Sequence, residues 1–204
     1  MKRLTIAAVA TALLLVGCAG QDGPADTAAG SPQTTTERTT REVEGAQPIL
    51  AAYGLEGMDA VEVIDRLDRL GGADRPSDLM VSVRPDGLQL ATGDEETSLP
   101  IPEDRFYLSV APYVDQTHDC FYHSLTTCQG ELGEQSVDVK IVDTATGEVL
   151  VDETRTTFAN GFVGFWLPRD VEGTLEVGYD GKVGRTAIST DDDAPTCLTT
   201  LHLA

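Results

Sequence analysis

The stretch from Val137 to Ser189 leaves this chain the least freedom in what it can fold into. Val137, Val139 and Ile141 alternate with Asp138 and Lys140, DTATGE supplies a turn, and Val149 and Val151 begin a return run. Period-two alternation puts apolar side chains on one face of an extended strand and polar ones on the other, so these residues predict a half-buried hairpin. FVGFWLP, TLEVGY and GRTAIS follow, separated by Asn160-Gly161, Glu172-Gly173 and Asp180-Gly181. Dipeptides of this kind suit tight turns, and short strands at such spacing pack as two facing sheets. Residues 116–204 are therefore expected to form a β-sandwich, with Phe162, Phe165 and Trp166 in its core.

Upstream the pattern changes. From Asp59 to Leu70 the apolar residues Ala60, Val63, Ile64, Leu67 and Leu70 recur at three and four, which predicts one face of a helix. Asp59 and Glu62 form a capping pair, Met58 and Val63 a staple, and Gly71-Gly72 a stop. Asp65, Arg66, Asp68 and Arg69 fall to the other, solvated face, and nothing in this helix suggests chemistry. Leu79 to Leu90 alternates around Pro85-Asp86-Gly87 and predicts a hairpin. After the polar GDEETS segment, SLPIP leads to RFYLSVAPYV, a buried strand that delivers the chain to His118. The fold class is thus mainly β, α+β overall: a small α+β domain over 48–115, then the sandwich domain over 116–204. The order of strands, turns and closing hairpin looks like transthyretin-like or immunoglobulin-like modules, a likeness that says nothing about function.

The first eighteen residues read as an export signal, with Lys2 and Arg3 ahead of the apolar run Leu4 to Val16. That run is too short to span a bilayer comfortably. Leu15-Val16-Gly17-Cys18 resembles the lipobox of bacterial lipoproteins, so Cys18 is expected to carry a lipid and anchor an exported protein in the cell envelope, in the periplasm or on the outer face of the cytoplasmic membrane. Residues 19–47 are poor in large apolar side chains and predict a disordered tether. The net charge is -20, and loss of Lys2 and Arg3 with the leader makes the mature chain more acidic still. So acidic a surface argues against nucleic acid and against anionic headgroups, leaving the lipid as the only membrane contact.

Chemistry is concentrated in HDCFYHSLTTC, from His118 to Cys128, and in PTCLTTLHLA, with Cys197 and His202. Beyond Cys18, three cysteines remain in a compartment where thiols usually oxidise, and three is odd. Cys120 and Cys128 would lie about 26 Å apart in a strand and about 12 Å apart in a helix. A disulfide needs Cα atoms within about 7 Å, so any cooperation requires the segment to fold back. His118 could share a strand face with Cys120, while His123 has the opposite parity. Cys197 and His202 also differ in parity along CLTTLHL, which favours Cys197 over His202.

Three readings follow from the residues. The sulfurs, with or without imidazole, form a soft-ion site suited to Cu(I), or in four-coordinate form to Zn(II). Alternatively, two cysteines form a structural disulfide and the third is incidental, in a structural or adhesion sandwich without a metal. In the third, a pair cycles between dithiol and disulfide, although no CxxC on a helix start supports it. Asp191 to Asp193 do not match an EF-hand loop, His123-Ser124 has no GxSxG elbow, and Met58 and Met80 are too isolated for a methionine site.

HDCFYHSLTTCQGEL, APTCLTTLHL, RPSDLMVSVRP and LPIPEDRFYLSVAPYV closely resemble segments of the CueP family of exported copper-binding proteins. The resemblance implies a two-domain periplasmic or cell-surface protein, not an enzyme, that binds copper for storage, tolerance or delivery to cuproenzymes. It carries the ligand role to Cys120, Cys128 and Cys197, with His118 or His123 as an auxiliary ligand or supporting group. Cu(I) is the expected ion and zinc the alternative; thiols could also reduce Cu(II) incidentally. A cuproenzyme acceptor, a thiol reductase and a homodimer are further expectations. The lipobox and the acidic tether depart from the family and suggest an anchored rather than diffusing protein.

Overall fold

The computed structural model describes residues 35–204, so the expectations for the leader, Cys18 and the first part of the tether lie outside the described residues. Among the described residues, no helix is long and apolar enough to cross a membrane.

Helix α1 (Thr35–Ala52) occupies the stretch where the tether was expected to continue to residue 47. The expectation fails there because Ala46, Ile49 and Leu50 share one helical face and are fully or almost fully buried, with Val43 packed beside them. Averaged composition hides so narrow a stripe. Helix α2 (Ala60–Leu67) starts at the predicted capping box: the Glu62 amide donates to Asp59 Oδ1 at 2.9 Å and the Asp59 amide to Glu62 Oε2 at 3.1 Å. It stops short of Gly71, with Asp68 as its C-cap. Asp68 lies four residues after Ile64, on the buried stripe and not on the solvated face expected for it.

Strands β1 (Met80–Val83), β2 (Gly87–Thr92) and β3 (Glu95–Pro100) form an antiparallel sheet around the predicted Pro85-Asp86-Gly87 turn. β3 begins inside the GDEETS segment, which is a strand and not only a connector. Val81, Val83, Leu88, Leu90 and Leu99 point inward and pack with α1 and α2 in a first core.

The sandwich is present as expected. One sheet has the order β6 (Val149–Thr156), β5 (Ser136–Asp143), β8 (Glu172–Tyr179), β9 (Lys182–Ser189). The other has β4 (Arg105–Val110) between β10 (Cys197–Leu198) and β7 (Val163–Pro168), parallel to the first and antiparallel to the second. Phe106, Leu108 and Val110 alternate into the core between the sheets, meeting Val139, Ile141, Phe165, Leu175 and Val177. The intervening residues Tyr107 and Ser109 face the other way, toward α2. β4 is thus buried on both sides and serves two cores.

That double service ties together the parts expected on either side of 115/116. β4 pairs within the sandwich, while Leu125, Tyr107 and Trp166 pack in the core of the N-terminal elements, and the described residues fall in one compact unit. Trp166 is also not in the sandwich core: its indole donates to Asp65 Oδ1 at 2.9 Å and its ring lies 4.7 Å from that of Tyr107. Only Cys197 and Leu198 of the expected last strand pair with β4, although Leu201 and Leu203 stay buried.

Candidate metal centre

The segment after β4 folds back by attaching itself to β1. The Val83 amide donates to the His123 carbonyl at 2.8 Å, and the Leu125 amide to the Val81 carbonyl at 2.9 Å. A single helical turn follows, in which the Cys128 amide donates to the Ser124 carbonyl at 3.1 Å and Thr127 Oγ1 to Ser124 Oγ at 2.6 Å. This turn swings Cys128 Sγ to 3.4 Å from Cys120 Sγ and 3.4 Å from the Ser124 amide. The reversal that the spacing of Cys120 and Cys128 demands is made here.

The C-terminal segment closes the site from the other side. The Cys197 amide donates to the Phe121 carbonyl at 3.1 Å, and the buried Thr196 hydroxyl accepts from the His123 amide at 3.0 Å and donates to the Val83 carbonyl at 2.7 Å. Cys197 is bonded to Cys120 in a disulfide, with Cα atoms 5.7 Å apart, and Cys128 keeps a free thiol.

His123 stands at the centre with no exposed surface. Its Nε2 lies 2.7 Å from Asp68 Oδ1, its Nδ1 lies 3.6 Å from Cys197 Sγ, and its ring rests on Phe162 with centroids 4.5 Å apart. Asp68, equally enclosed, also accepts from Tyr107 Oη at 2.6 Å, Ser109 Oγ at 3.1 Å and Asn160 Nδ2 at 2.9 Å. A carboxylate held this way fixes which imidazole nitrogen faces the sulfurs. Phe162, expected in the sandwich core, instead packs with Ala111, Cys128 and Cys197.

Burial alone would lower the His123 pKa, but the charge and hydrogen bond of Asp68, aided by Cys128, raise it from 6.5 to about 9. Burial likewise opposes ionisation of Asp68, yet His123, Tyr107 and Asn160 hold its carboxyl below 3.8. Burial pushes the Cys128 thiol up, and the hydrogen bond and charge of His123, the Ser124 amide and the charge of Arg75 bring it below 9.0. Arg75 reaches the site directly, its Nη1 donating to the Cys128 carbonyl at 2.6 Å. The surroundings thus favour the charged form of His123 and draw the Cys128 thiol below its ordinary value.

Two overlapping sets of soft donors meet here. His118, Cys120 and Cys128 form one, and His123, Cys128 and Cys197 the other, with the donor atoms of each set within 4.8 Å of one another. His118 Nε2 is buried with no hydrogen-bond partner among the described residues. A cavity of about 640 Å³, lined by Gln116, Thr117, His118, Cys128, Gly130 and Glu131 among others, adjoins the first set. Thiolate and imidazole in such sets suit Cu(I), and suit Zn(II) when four coordinate.

All five residues singled out in the sequence therefore converge. His202 does not: it stacks on Tyr113 and its Nε2 lies 3.1 Å from the Val114 carbonyl. Asp191 is a turn residue, accepting from Ser189 Oγ and from the Asp193 amide. Sequence reasoning missed Asp68, Tyr107, Ser109, Asn160, Thr196 and Arg75. For Asp68 the signal was available, a carboxylate in register with Ala60 and Ile64 on an apolar stripe.

A family model described as periplasmic copper-binding protein CueP matches residues 62–202. This chain belongs to the CueP family. A crystal structure of S.CueP is 43% identical, with a TM-score of 0.73, over 78% of this chain and 96% of that one. No curated protein matches the chain. The region matched to the CueP family starts within α2 and ends at His202, so it contains Asp68 and every cysteine and histidine of the site.

Proposed function

We propose that this protein captures copper as Cu(I) in the cell envelope, through the thiolates of Cys120, Cys128 and Cys197 with His118 or His123 as auxiliary ligand. Copper held there is stored, kept from doing damage, or passed to a cuproenzyme, and a lipid on Cys18 keeps the protein at the membrane. The single observation that carries this reading is the convergence of two soft donor sets on Cys128. Membership of a periplasmic copper-binding family adds to it.

The Cys120–Cys197 bond bears on how the site loads. The full three-thiolate set requires two electrons to open that bond, which a thiol reductase of the compartment would supply. Binding then releases protons, because thiolates are the ligands. In the oxidised form Cys128, His118 and His123 remain as donors.

The test is an anaerobic titration of reduced protein with Cu(I) against a Cu(I)-selective chelator, repeated with Cys128→Ser. Tight binding of about one equivalent, severely weakened in the variant, supports the reading. Equal affinity in the two proteins discards the site. Parallel competition with a zinc-selective chelator decides between the ions. The disulfide also favours a second reading, a stabilised sandwich without a metal role; absence of copper binding by both oxidised and reduced protein would establish it.

A further inference from the structure

Three sulfurs cluster, those of Cys128 and Cys197 within 4.8 Å of each other and both in contact with that of Cys120. Cys120 Sγ is bonded to Cys197 Sγ and lies 3.4 Å from the free Cys128 Sγ. Disulfides isomerise by attack of a thiolate on one sulfur and departure of the other, at rates set by access and by how well the leaving thiolate is stabilised. The two sulfurs that flank Cys120 have the same neighbour. His123 Nδ1 lies 3.6 Å from Cys197 Sγ, and the donor atoms of His123, Cys128 and Cys197 all lie within 4.8 Å of one another. Cys120 is the half-buried member of the three and lies outside regular secondary structure, whereas Cys197 starts a two-residue strand.

We propose that the site performs an internal thiol–disulfide exchange, in which Cys120 passes its bond back and forth between Cys197 and Cys128. The Cys128 thiolate attacks Cys120 Sγ, a Cys120–Cys128 bond forms, the Cys120–Cys197 bond breaks, and Cys197 leaves as a thiolate. One thiolate and one disulfide stand on each side, so no oxidant or reductant enters. The Nδ1 edge of His123 faces the departing Cys197 sulfur at 3.6 Å and is within reach of the attacking one. Asp68 holds the imidazole still while this happens, through its 2.7 Å contact on the far nitrogen.

The exchange changes what the protein presents. With Cys120 bonded to Cys197, the free thiol is Cys128, which lines the cavity beside His118. With Cys120 bonded to Cys128, the free thiol is Cys197, which is 2% exposed and lies behind the loop against His123. One isomer offers a thiol to the cavity and the other withdraws it, with no change in oxidation level. This device goes beyond copper capture and does not depend on it.

The experiment is a disulfide map of the metal-free full chain. The protein is incubated in a glutathione buffer, quenched in acid at intervals, digested with pepsin to prevent scrambling, and its linked peptides identified by mass spectrometry. Both Cys120–Cys197 and Cys120–Cys128 peptides are expected, approaching a constant ratio. A map with Cys120–Cys197 alone at every time overturns the proposal. A second arm uses Cys197→Ser, monomeric and folded by near-ultraviolet circular dichroism, which should lose both remaining thiols of the site on mild oxidation. Retention of both as free thiols also overturns it. Because no copper is present, either failure leaves the copper reading to its own titration.

Discussion

Asp68 and His123 meet through a 2.7 Å contact between Oδ1 and Nε2 in which neither side chain has any exposed surface. They come from elements far apart in sequence, a helix C-cap and a loop pinned to β1. The charge that each would resist alone in the interior is sustained by the other.

His123 is therefore expected to remain protonated in the folded protein up to about pH 9, against 6.5 in the unfolded chain. The stability this provides is complete below pH 6.5 and is lost as pH rises through about 9. Asp68, held below 3.8, contributes above that pH and loses its contribution as pH falls through its lowered value. A proton NMR titration of the His123 ring checks the first statement. In Asp68→Asn the midpoint should fall below that of wild type; an unmoved midpoint would show that the carboxylate does not govern the ring.

Asp68→Asn should also weaken Cu(I) binding by about 10- to 100-fold, the usual effect of removing a carboxylate behind a ligating imidazole. Chelator competition on reduced protein measures it. If His118 rather than His123 serves as the auxiliary ligand, Asp68→Asn leaves affinity unchanged and His118→Ala lowers it.

Cys128 should react as a thiolate at a pH where ordinary cysteines are mostly protonated, because His123, the Ser124 amide and Arg75 draw its pKa below 9.0. The rate of iodoacetamide modification against pH gives the midpoint. Arg75→Met, which removes the Nη1 contact to the Cys128 carbonyl and the nearby charge, should move that midpoint upward. No shift would remove Arg75 from the account.

Gly164→Ala tests the packing that supports Asp68. A Cβ at this position would run into the Tyr107 phenol, which donates to Asp68 Oδ2 at 2.6 Å. The phenol must move off the carboxylate, so the variant is expected to lose about 1–3 kcal/mol in urea unfolding, the usual range for overpacking. Tyr107→Phe, which only removes the hydroxyl, should lose less.

Leu50→Ala tests whether α1 belongs to the fold. Leu50 is fully buried against the first core, so truncation should cost about 2–5 kcal/mol. A loss near zero would return this segment to the tether.

The sandwich was readable because Val137, Val139 and Ile141 alternate with charged residues, and β5 and β8 keep that alternation in their burial. The residues of the candidate centre were readable because soft donors are scarce in this chain and cluster in two segments. The burial of Asp68 could be read from its register on the α2 stripe, but its role could not, since its partners Tyr107, Ser109, His123 and Asn160 lie 39, 41, 55 and 92 positions away and no local pattern links them. Helix α1 was hidden by a narrow apolar stripe within polar composition, which includes Gly45 and Pro48. The double service of β4 was hidden because a strand buried on two sides reads the same as one buried on one side and paired locally.

β4 occupies the middle of its sheet, between β10 and β7, while its reverse face carries Tyr107 and Ser109 to Asp68. Excising residues 116–204 as a separate module would remove that strand, leaving Cys197 without its register against Ser109 and His123 without its counterion. Gene fusions or truncations built on the cysteine-bearing half alone would thus keep the cysteines and lose the means of aligning them. Any portable form of the centre has to begin upstream of α2.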